Sequence, residues 1–389
     1  MKHNWEYKPV SEIFDTVTDF VAAGSFADLR ENVIYNNEQD FAQLIRTTDL
    51  KNNFSNSQFV YVNEHAFNYL WRVNLAEECI ILPNIGNCGE VYYLHPSMLI
   101  YPNNVLGPNA IMVRSKKHNQ KYLAFALKGK YFQRQLFQIV SQVAQSKFNK
   151  TNLKKLIVPV PSLEVQERIV AELDKINETI EDCRELLRNL DALSQSLFYD
   201  FFGDPITNPK GWPLYKLSSI SQLINGRAYK QNELLDEGKY KVIRVGNFFT
   251  NSDYYYSDLE LSPEKYIDYG DLIFAWSASF GAFIWQGDKV IYHYHIWKVL
   301  FDDNLLNKIF YKFLLNEMTS SFMKDLHGIG MMHLTKVGME NYMLPIPPLA
   351  LQEKFAERIE AIEEQKKAVE QTIAELQTLL DSRMDYWFN

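Results

Sequence analysis

The 389-residue chain is written twice. The run Val158-Pro159-Val160-Pro161-Ser162-Leu163-Glu164-Val165-Gln166-Glu167 returns as Leu344-Pro345-Ile346-Pro347-Pro348-Leu349-Ala350-Leu351-Gln352-Glu353, 186 positions later and without a gap. The register holds forward through Leu190 and Leu376, Leu193 and Leu379, Ser196 and Ser382, and Phe202 and Phe388. Backward it pairs Leu153 with Met339 and Lys150 with Lys336. Each half also opens alike, Trp5 to Ile13 (WEYKPVSEI) matching Trp212 to Ile220 (WPLYKLSSI) at a different offset. Fainter echoes lie between: Leu44-Ile45-Arg46 with Val242-Ile243-Arg244, and Ile80-Ile81-Leu82…Gly89 with Leu272-Ile273-Phe274…Gly281. Self-similarity of this kind marks a duplicated unit. The order is head, helix, head, helix. The ends of the halves agree and the middles diverge, as expected of two binding modules that share a scaffold and differ in target.

Both proline strips lead into long periodic segments, and proline at or just before a first turn marks a helix start. Leu173, Ile176, Ile180, Cys183, Leu187, Leu190 and Leu197 fall at 3-and-4 spacing, interrupted by Ser194. Phe355, Ile359, Ile362, Val369, Ile373, Leu376 and Leu380 do the same, interrupted by Lys366. Neither segment contains Gly or Pro, and the sustained apolar stripe predicts a coiled-coil seam. About 37 residues would give a rod of roughly 55 Å. The two rods are expected to pair antiparallel with each other, the alternative being that each docks on its own head. The heads show strand-like runs at Phe59–Val62, Cys79–Leu82, Asp271–Ala275 and Val290–Leu300. Helical patterning falls near Lys121–Val143 and Leu305–Leu326. The fold class read from this is α+β, with two heads and two long antiparallel coiled-coil helices related by an internal pseudo-twofold repeat. The expected boundaries are 1–157, 158–203, 204–343 and 344–389.

A net charge of −8 looks wrong for a nucleic-acid binder until it is divided. Residues 164–200 carry −6 and residues 350–389 carry −4, leaving the remainder at +2. Residues 91–157 hold 11 Lys/Arg and no Asp or Glu. Such a stretch supplies sequence-independent attraction to phosphate. The three cysteines form neither a zinc nor a disulfide framework and fit a reducing compartment. No run approaches the length of a membrane span, and MKHNWEYKPV lacks the apolar core of a signal peptide, so a cytoplasmic location is expected.

Catalytic signatures are not found. There is no G-x-x-x-x-G-K-[ST] loop, and Gly328-Ile329-Gly330 is a lone G-x-G. Asn208-Pro209-Lys210-Gly211 is only superficially similar to an amino-methyltransferase motif. Asp49-Leu50-Lys51 lacks the acidic partner a nuclease metal site needs. His293 and His295 on a predicted strand would share a face, but no third metal ligand is evident. The candidates for DNA contact are Arg46, Lys147, Asn149, Lys150, Arg227, Tyr229, Lys230, Arg244, His333, Thr335 and Lys336. In Gly226-Arg227-Ala228-Tyr229-Lys230 a small residue precedes two cations separated by an aromatic, which suits backbone approach and reach to phosphates and base edges. Lys147, Asn149 and Lys150 match His333, Thr335 and Lys336 in the repeat, and Arg46 matches Arg244.

The P-x-P-P/S-L-x-x-Q-E strip before a long helix, present twice, resembles the conserved regions of type I restriction–modification specificity subunits. So does the Trp-x₄-Leu/Val-Ser-x-Ile opening of each head. The resemblance covers essentially the whole chain. It implies a non-catalytic subunit with two target-recognition domains, each reading half of a split, asymmetric site in double-stranded DNA. It also implies helices that set the spacer and receive two modification subunits, with restriction/translocase subunits joining that core. S-adenosylmethionine, ATP and Mg would then bind the partners, which methylate adenine at N6, and no cofactor binds this chain. Two departures stand out: Ser162 faces Pro348, and Val143-Ala144-Gln145-Ser146 precedes Lys147 where the second half has the glycine loop. The alternatives are a fused methyltransferase or nuclease with its own target domains, and a coiled-coil adaptor whose heads bind protein.

Overall fold

The computed structural model describes residues 5–140, 147–250, 252–324 and 334–389. Two single helices dominate the chain, Leu163–Phe202 and Leu349–Phe388. By packing the chain divides into one unit of Met1–Cys183 with Thr372–Asn389 and a second unit of Arg184–Gln371. Each long helix therefore gives its first part to one unit and its last part to the other. No helix among the described residues is long and apolar enough to cross a membrane.

In unit 1 the opening motif pairs with the proline strip, Glu6–Pro9 running antiparallel to Ile157–Val160. A four-stranded antiparallel sheet follows, in the order Thr16–Asp19, Ala110–Arg114, Cys79–Pro83, Tyr92–Leu94. A second sheet sets Ala42–Ile45 between Val60–Val62 and Asn104–Leu106, the latter pairing parallel. Unit 2 repeats the plan. Leu214–Lys216 pairs with Met343–Pro345, and the first sheet runs Ser221–Asn225, Ile296–Phe301, Leu272–Ser277, Ser279–Ile284. Its second sheet sets Tyr240–Ile243 beside Val290–Tyr292, again parallel. The registers coincide: Ile81 stands opposite Met112 as Ile273 stands opposite Lys298. The glycines of that echo do not coincide, since Gly89 sits in a loop at φ +113° and Gly281 lies within a strand.

The repeated glutamines explain the repeated strips. Gln166 is fully buried, accepts from the Asn119 N–H (3.0 Å) and donates to Pro161 O (2.9 Å). Gln352 is fully buried, accepts from the Asn307 N–H (2.8 Å) and donates to Pro347 O (2.8 Å) and Leu305 O (3.0 Å). Asn119 and Asn307 cap the head helices Gln120–Lys128 and Lys308–Glu317. One amide thus ties the start of each long helix to the start of a head helix, satisfying main-chain groups that burial would otherwise orphan. Ser162 and Pro348 are interchangeable because each contributes only its carbonyl to the first turn.

Each unit also holds the end of the other half's long helix. In unit 1 Phe388 packs on Tyr122 at 5.6 Å, Trp387 stacks on Trp5 at 6.0 Å, and Arg383 forks onto Glu172. Arg168 lies over the Trp387 ring, so the two helix segments of this unit run antiparallel. In unit 2 Phe202, the repeat partner of Phe388, packs on Phe310 at 4.7 Å and Phe355 at 5.2 Å, while Asp191 pairs with Lys366 at 2.7 Å. These segments too are antiparallel. Both interruptions of the seams are accommodated: the buried Ser194 hydroxyl donates to Leu190 O (3.0 Å), and Lys366 is held by Asp191 and Glu363. Burial is complete at Leu173, Phe355 and Ile359 and only partial at Cys183, Leu187, Val369, Ile373 and Leu376, which are the middles of the two helices.

The similarity of Asn208-Pro209-Lys210-Gly211 to a catalytic motif is explained by a turn. Asn208 at φ +48° donates to Trp212 O (2.9 Å) and accepts from the Trp212 N–H (2.9 Å), turning the chain out of the first long helix.

Replacing Gln352 by Ala leaves three main-chain groups, one buried and two part-buried, without their partner. We expect a loss of about 1–3 kcal/mol, read as a shifted denaturation midpoint, against less than about 0.5 kcal/mol for the neighbouring exposed Glu353→Ala. Equal midpoints for the two variants would refute the clamp.

Candidate nucleic-acid interface

Three main-chain hydrogen bonds build the same corner in both units. In unit 1 the Gly107 N–H donates to Ile45 O (2.8 Å), Asn84 N–H to Asn109 O (3.0 Å), and Phe148 N–H to Asn84 O (3.1 Å). In unit 2 the His293 N–H donates to Ile243 O (2.9 Å), Trp276 N–H to His295 O (3.1 Å), and Leu334 N–H to Trp276 O (3.4 Å). Phe148 and Leu334 are partners in the repeat, and each leads through a short capped helix to a proline strip. At this corner the chain leaves the sheet with the parallel pair and enters the four-stranded sheet, so strand ends and loops converge.

The side chains carried on this shared frame differ. Unit 1 has Gly107, Pro108 and Asn109 at the turn, beside a cleft of about 590 Å³ lined in part by Phe20, Phe26, Tyr35, Asn84 and Asn109. Unit 2 has His293, Tyr294 and His295. The strand expected over Val290–Leu300 is in fact two, Val290–Tyr292 and Ile296–Phe301, in different sheets. The histidines occupy the turn between them and not one strand face. The apolar run reads as continuous because both strands are buried, yet its middle turns where Ile296 N–H returns to His293 O (3.0 Å). The two imidazoles lie 4.8 Å apart, and Trp276 packs edge-on against His295 at 5.1 Å. Burial, then His295 and Arg244, push the His293 pKa down to about 4, so its ring is neutral at pH 7. Among the described residues no group of three His, Cys, Asp or Glu is placed to hold a metal ion.

The loop Gly226–Lys230 closes on the same turn. A Cβ on Gly226 would stand 2.3 Å from Tyr292 O and 2.4 Å from His293 O, so only glycine permits this approach. Arg227 N–H donates to Tyr292 O (3.0 Å), and the Arg227 guanidinium forks onto Glu233 at 2.8 and 2.9 Å. That fork and the Lys230 N–H hold the Glu233 carboxyl down at about 2. Tyr229 is half-buried under Arg227, its hydroxyl 3.5 Å from Tyr292 O. The Lys230 ammonium has no ion-pair partner among the described residues.

The remaining sequence candidates divide by what already engages them. Asn149 and Thr335 cap their short helices, accepting from the Asn152 and Gly338 N–H groups. Lys150 pairs with Asp19 at 2.7 Å, and Lys336 reaches Glu340 at 3.6 Å. Lys147 is exposed and bridges by main chain to Ile85, beside Asn84. His333, the Gly328–Gly330 loop and 143–146 lie outside the described residues. Arg46 is tied down through its Nε and one Nη: the guanidinium forks onto the buried Asp49 (2.8 and 3.0 Å) and reaches Gln58 O (2.9 Å). Arg244, its counterpart, stacks on Tyr255 at 4.1 Å and makes one long contact to Asp253 O, 3.4 Å. The basic stretch is partly neutralised from elsewhere, Lys121 by Asp174 and Lys130 by Asp385. Lys116, Lys117, Lys128, Arg134, Lys147, Lys154 and Lys155 have no ion-pair partner among the described residues.

Sequence reading missed Asn84, Asn109, Trp276 and Tyr294, and weighed His293 and His295 only as metal ligands. The signal was present. The Ile45/Ile243 and Leu82/Phe274 echoes mark strands whose ends meet at this corner, and following both to their ends would have located it.

A family model described as the type I restriction modification DNA specificity domain matches residues 2–190 and again 209–378. The chain is 20% identical over 389 positions to the putative type I restriction enzyme MjaX specificity subunit of Methanocaldococcus jannaschii, covering 93% of this chain and 87% of that one. It is 27% identical over 154 residues to the type I restriction enzyme EcoBI specificity subunit of Escherichia coli, 39% of this chain and only 32% of that protein's length. In fold it matches a chain solved in work on complex assembly and conformational transition of the type I R-M system. That match has TM-score 0.57 and 15% identity, covering 99% of this chain and 97% of the other. A type I S subunit from M. genitalium matches at TM-score 0.51 and 14% identity, covering 99% and 96%.

Two outcomes follow from the corner. Arg46→Ala leaves the buried Asp49 carboxylate without its counter-ion, with only the residue-46 N–H and the Asn56 amide to hold it, and is expected to cost about 1–3 kcal/mol, whereas Arg244→Ala should stay within about 1 kcal/mol; equilibrium denaturation compares them. The His293 pKa of about 4 lies below the ordinary value near 6.5. The unfolded chain therefore binds a proton that the folded one does not, and unit 2 loses stability as pH falls from about 6.5 toward 4. His293→Gln should remove that part of the acid sensitivity, and an unchanged midpoint-versus-pH curve would contradict it.

Proposed function

Since the chain belongs to the type I restriction–modification DNA specificity family, we propose that it is the non-catalytic subunit through which such a complex finds its DNA target. Each unit reads one half of a bipartite, asymmetric site. One observation carries the reading: two units share a backbone corner bond for bond while the side chains on it are unlike. A scaffold that keeps its frame and changes its surface suits recognition of two different half-sites.

In this reading residues 1–157 and 204–343 are the recognition domains, and the helical regions 158–203 and 344–389 fix the spacer between half-sites. Those acidic helices also dock two methyltransferase subunits, with restriction/translocase subunits completing the assembly. S-adenosylmethionine, ATP and Mg belong to those partners, the complex works in the cytoplasm, and the modified base is adenine at N6. Lys147, Lys150, Lys230 and Lys336 contact phosphates, the long Lys336–Glu340 pair being weak enough to exchange for one and Lys150 giving up its part-buried pair with Asp19 to do so. The other candidate positions, Arg46, Asn149, Arg227, Tyr229 and Thr335, shape the reading loops, and His333 stands next to them in sequence.

Methylome sequencing of cells with and without this chain should show one split motif lost on deletion. Exchanging one recognition domain should change one half of that motif and leave the other. A motif that survives deletion, or two halves that change together, defeats the proposal. Specific binding by the purified complex should also fall steeply with salt, and a flat salt titration would point to a protein-binding adaptor instead.

A further inference from the structure

Arg46 and Arg244 occupy one position of the repeat and are treated differently. Each ends the central strand of its parallel pair and precedes a five-residue helix, Thr47–Lys51 or Val245–Phe249. In each the residue three places on accepts from the arginine's own N–H, Asp49 at 2.8 Å and Asn247 at 2.7 Å. The local fold is therefore the same. The guanidinium is not. Asp49 adds two further bonds to the Arg46 side chain, cancelling its charge and using its fork. Asn247 turns its amide nitrogen toward Ser252 O (2.7 Å) and Asp253 O (3.3 Å), and offers Arg244 nothing beyond the main-chain bond.

Arg244 is left with an undischarged fork. No carboxylate lies within ion-pairing distance of it among the described residues, and its buried Nε has no hydrogen-bond partner there. The guanidinium lies over the Tyr255 ring, 4.1 Å from its centre, which stabilises the cation without using a donor; its one hydrogen bond is the long contact to Asp253 O. It stands beside the His293–His295 turn, near enough that its charge helps keep His293 neutral. A planar guanidinium that has no carboxylate partner and stands at a converging set of loops matches the two acceptors, O6 and N7, that guanine presents in the major groove.

We infer that Arg244 is a specificity-determining residue that reads a guanine in the half-site of unit 2, and that Arg46 plays no such part in unit 1. The inference rests on the proposed function and sharpens it to one base and one residue.

The test uses the full chain in its complex with methyltransferase subunits. Arg244→Ala and Arg244→Lys are each compared with wild type by methylome sequencing and by binding of the purified complex to cognate duplexes with single base changes. Loss of the fork should lower discrimination at one G·C pair on the order of 10- to 100-fold. Arg244→Lys, which keeps the charge, should lose discrimination while holding overall affinity within a few-fold. The affected pair must lie in the half-site that changes when residues 204–343 are exchanged. Three results would overturn the inference: no position relaxed, relaxation at an A·T pair or in the other half-site, or affinity lowered evenly for every sequence, which marks a phosphate contact. The larger reading fails separately. If deleting the chain leaves the methylome intact, the proposed function falls; if domain exchange still switches one half-site while both Arg244 variants read as wild type, only the role of Arg244 falls.

Discussion

The hydrogen bonds that close each corner run between main-chain atoms, so they place no demand on the side chains they position. Gly107 and His293 donate the same bond to the same strand end, and Asn84 and Trp276 do likewise at the neighbouring one. An imidazole can stand where the other unit has no side chain at all, and an indole where it has an amide. The frame is held by the strand registers and by the cores beneath them, which pack Leu44, Ile81 and Met112 in unit 1 and Ile243, Ile273 and Ile296 in unit 2. Two surfaces of different chemistry can then evolve on one backbone without renegotiating the fold.

The ends of each half are bound by the opposite logic. There the contacts are between side chains and cannot be varied singly. Gln352 satisfies Asn307, Leu305 and Pro347 together, and Phe202 must fit Phe310 and Phe355 at once. Gly129 shows the same tightness in unit 1, where a Cβ would stand 2.3 Å from the Cβ of Phe388. Such junctions tolerate few sequences. This is why the chain repeats itself legibly at the strips and helices and loses the repeat between them.

That division sets what sequence alone could yield. The helices, the proline strips, the opening motifs and the duplication were readable because they rest on periodicity and on side-chain identity. The sheets were readable in part: Cys79–Pro83 and Leu272–Ser277 announce themselves as β-branched and aromatic runs. The break at His293 was not readable, since a buried strand crossing from one sheet to another keeps its apolar character on both sides of the turn. Nor could sequence separate Arg46 from Arg244. Both follow an Ile at the end of a strand, and the deciding residue three places on differs only as aspartate from asparagine.

That last difference is small in atoms and large in electrostatics. Exchanging a carboxylate oxygen for an amide nitrogen preserves the bond to the preceding main-chain N–H, so the turn survives unchanged. It also removes the negative charge that would hold the guanidinium inward, because the amide nitrogen can only donate and must seek carbonyls, here those of Ser252 and Asp253. An arginine that braces a domain and an arginine that has no counter-ion can thus share a position and a backbone. The cost of leaving the second one without a counter-ion is met by partial exposure, by the long contact to Asp253 O and by the Tyr255 ring, which stabilises a cation without occupying its donors. A binding surface built on this frame gains a cation free of any carboxylate through one substitution at a neighbouring residue, with the arginine itself already in place.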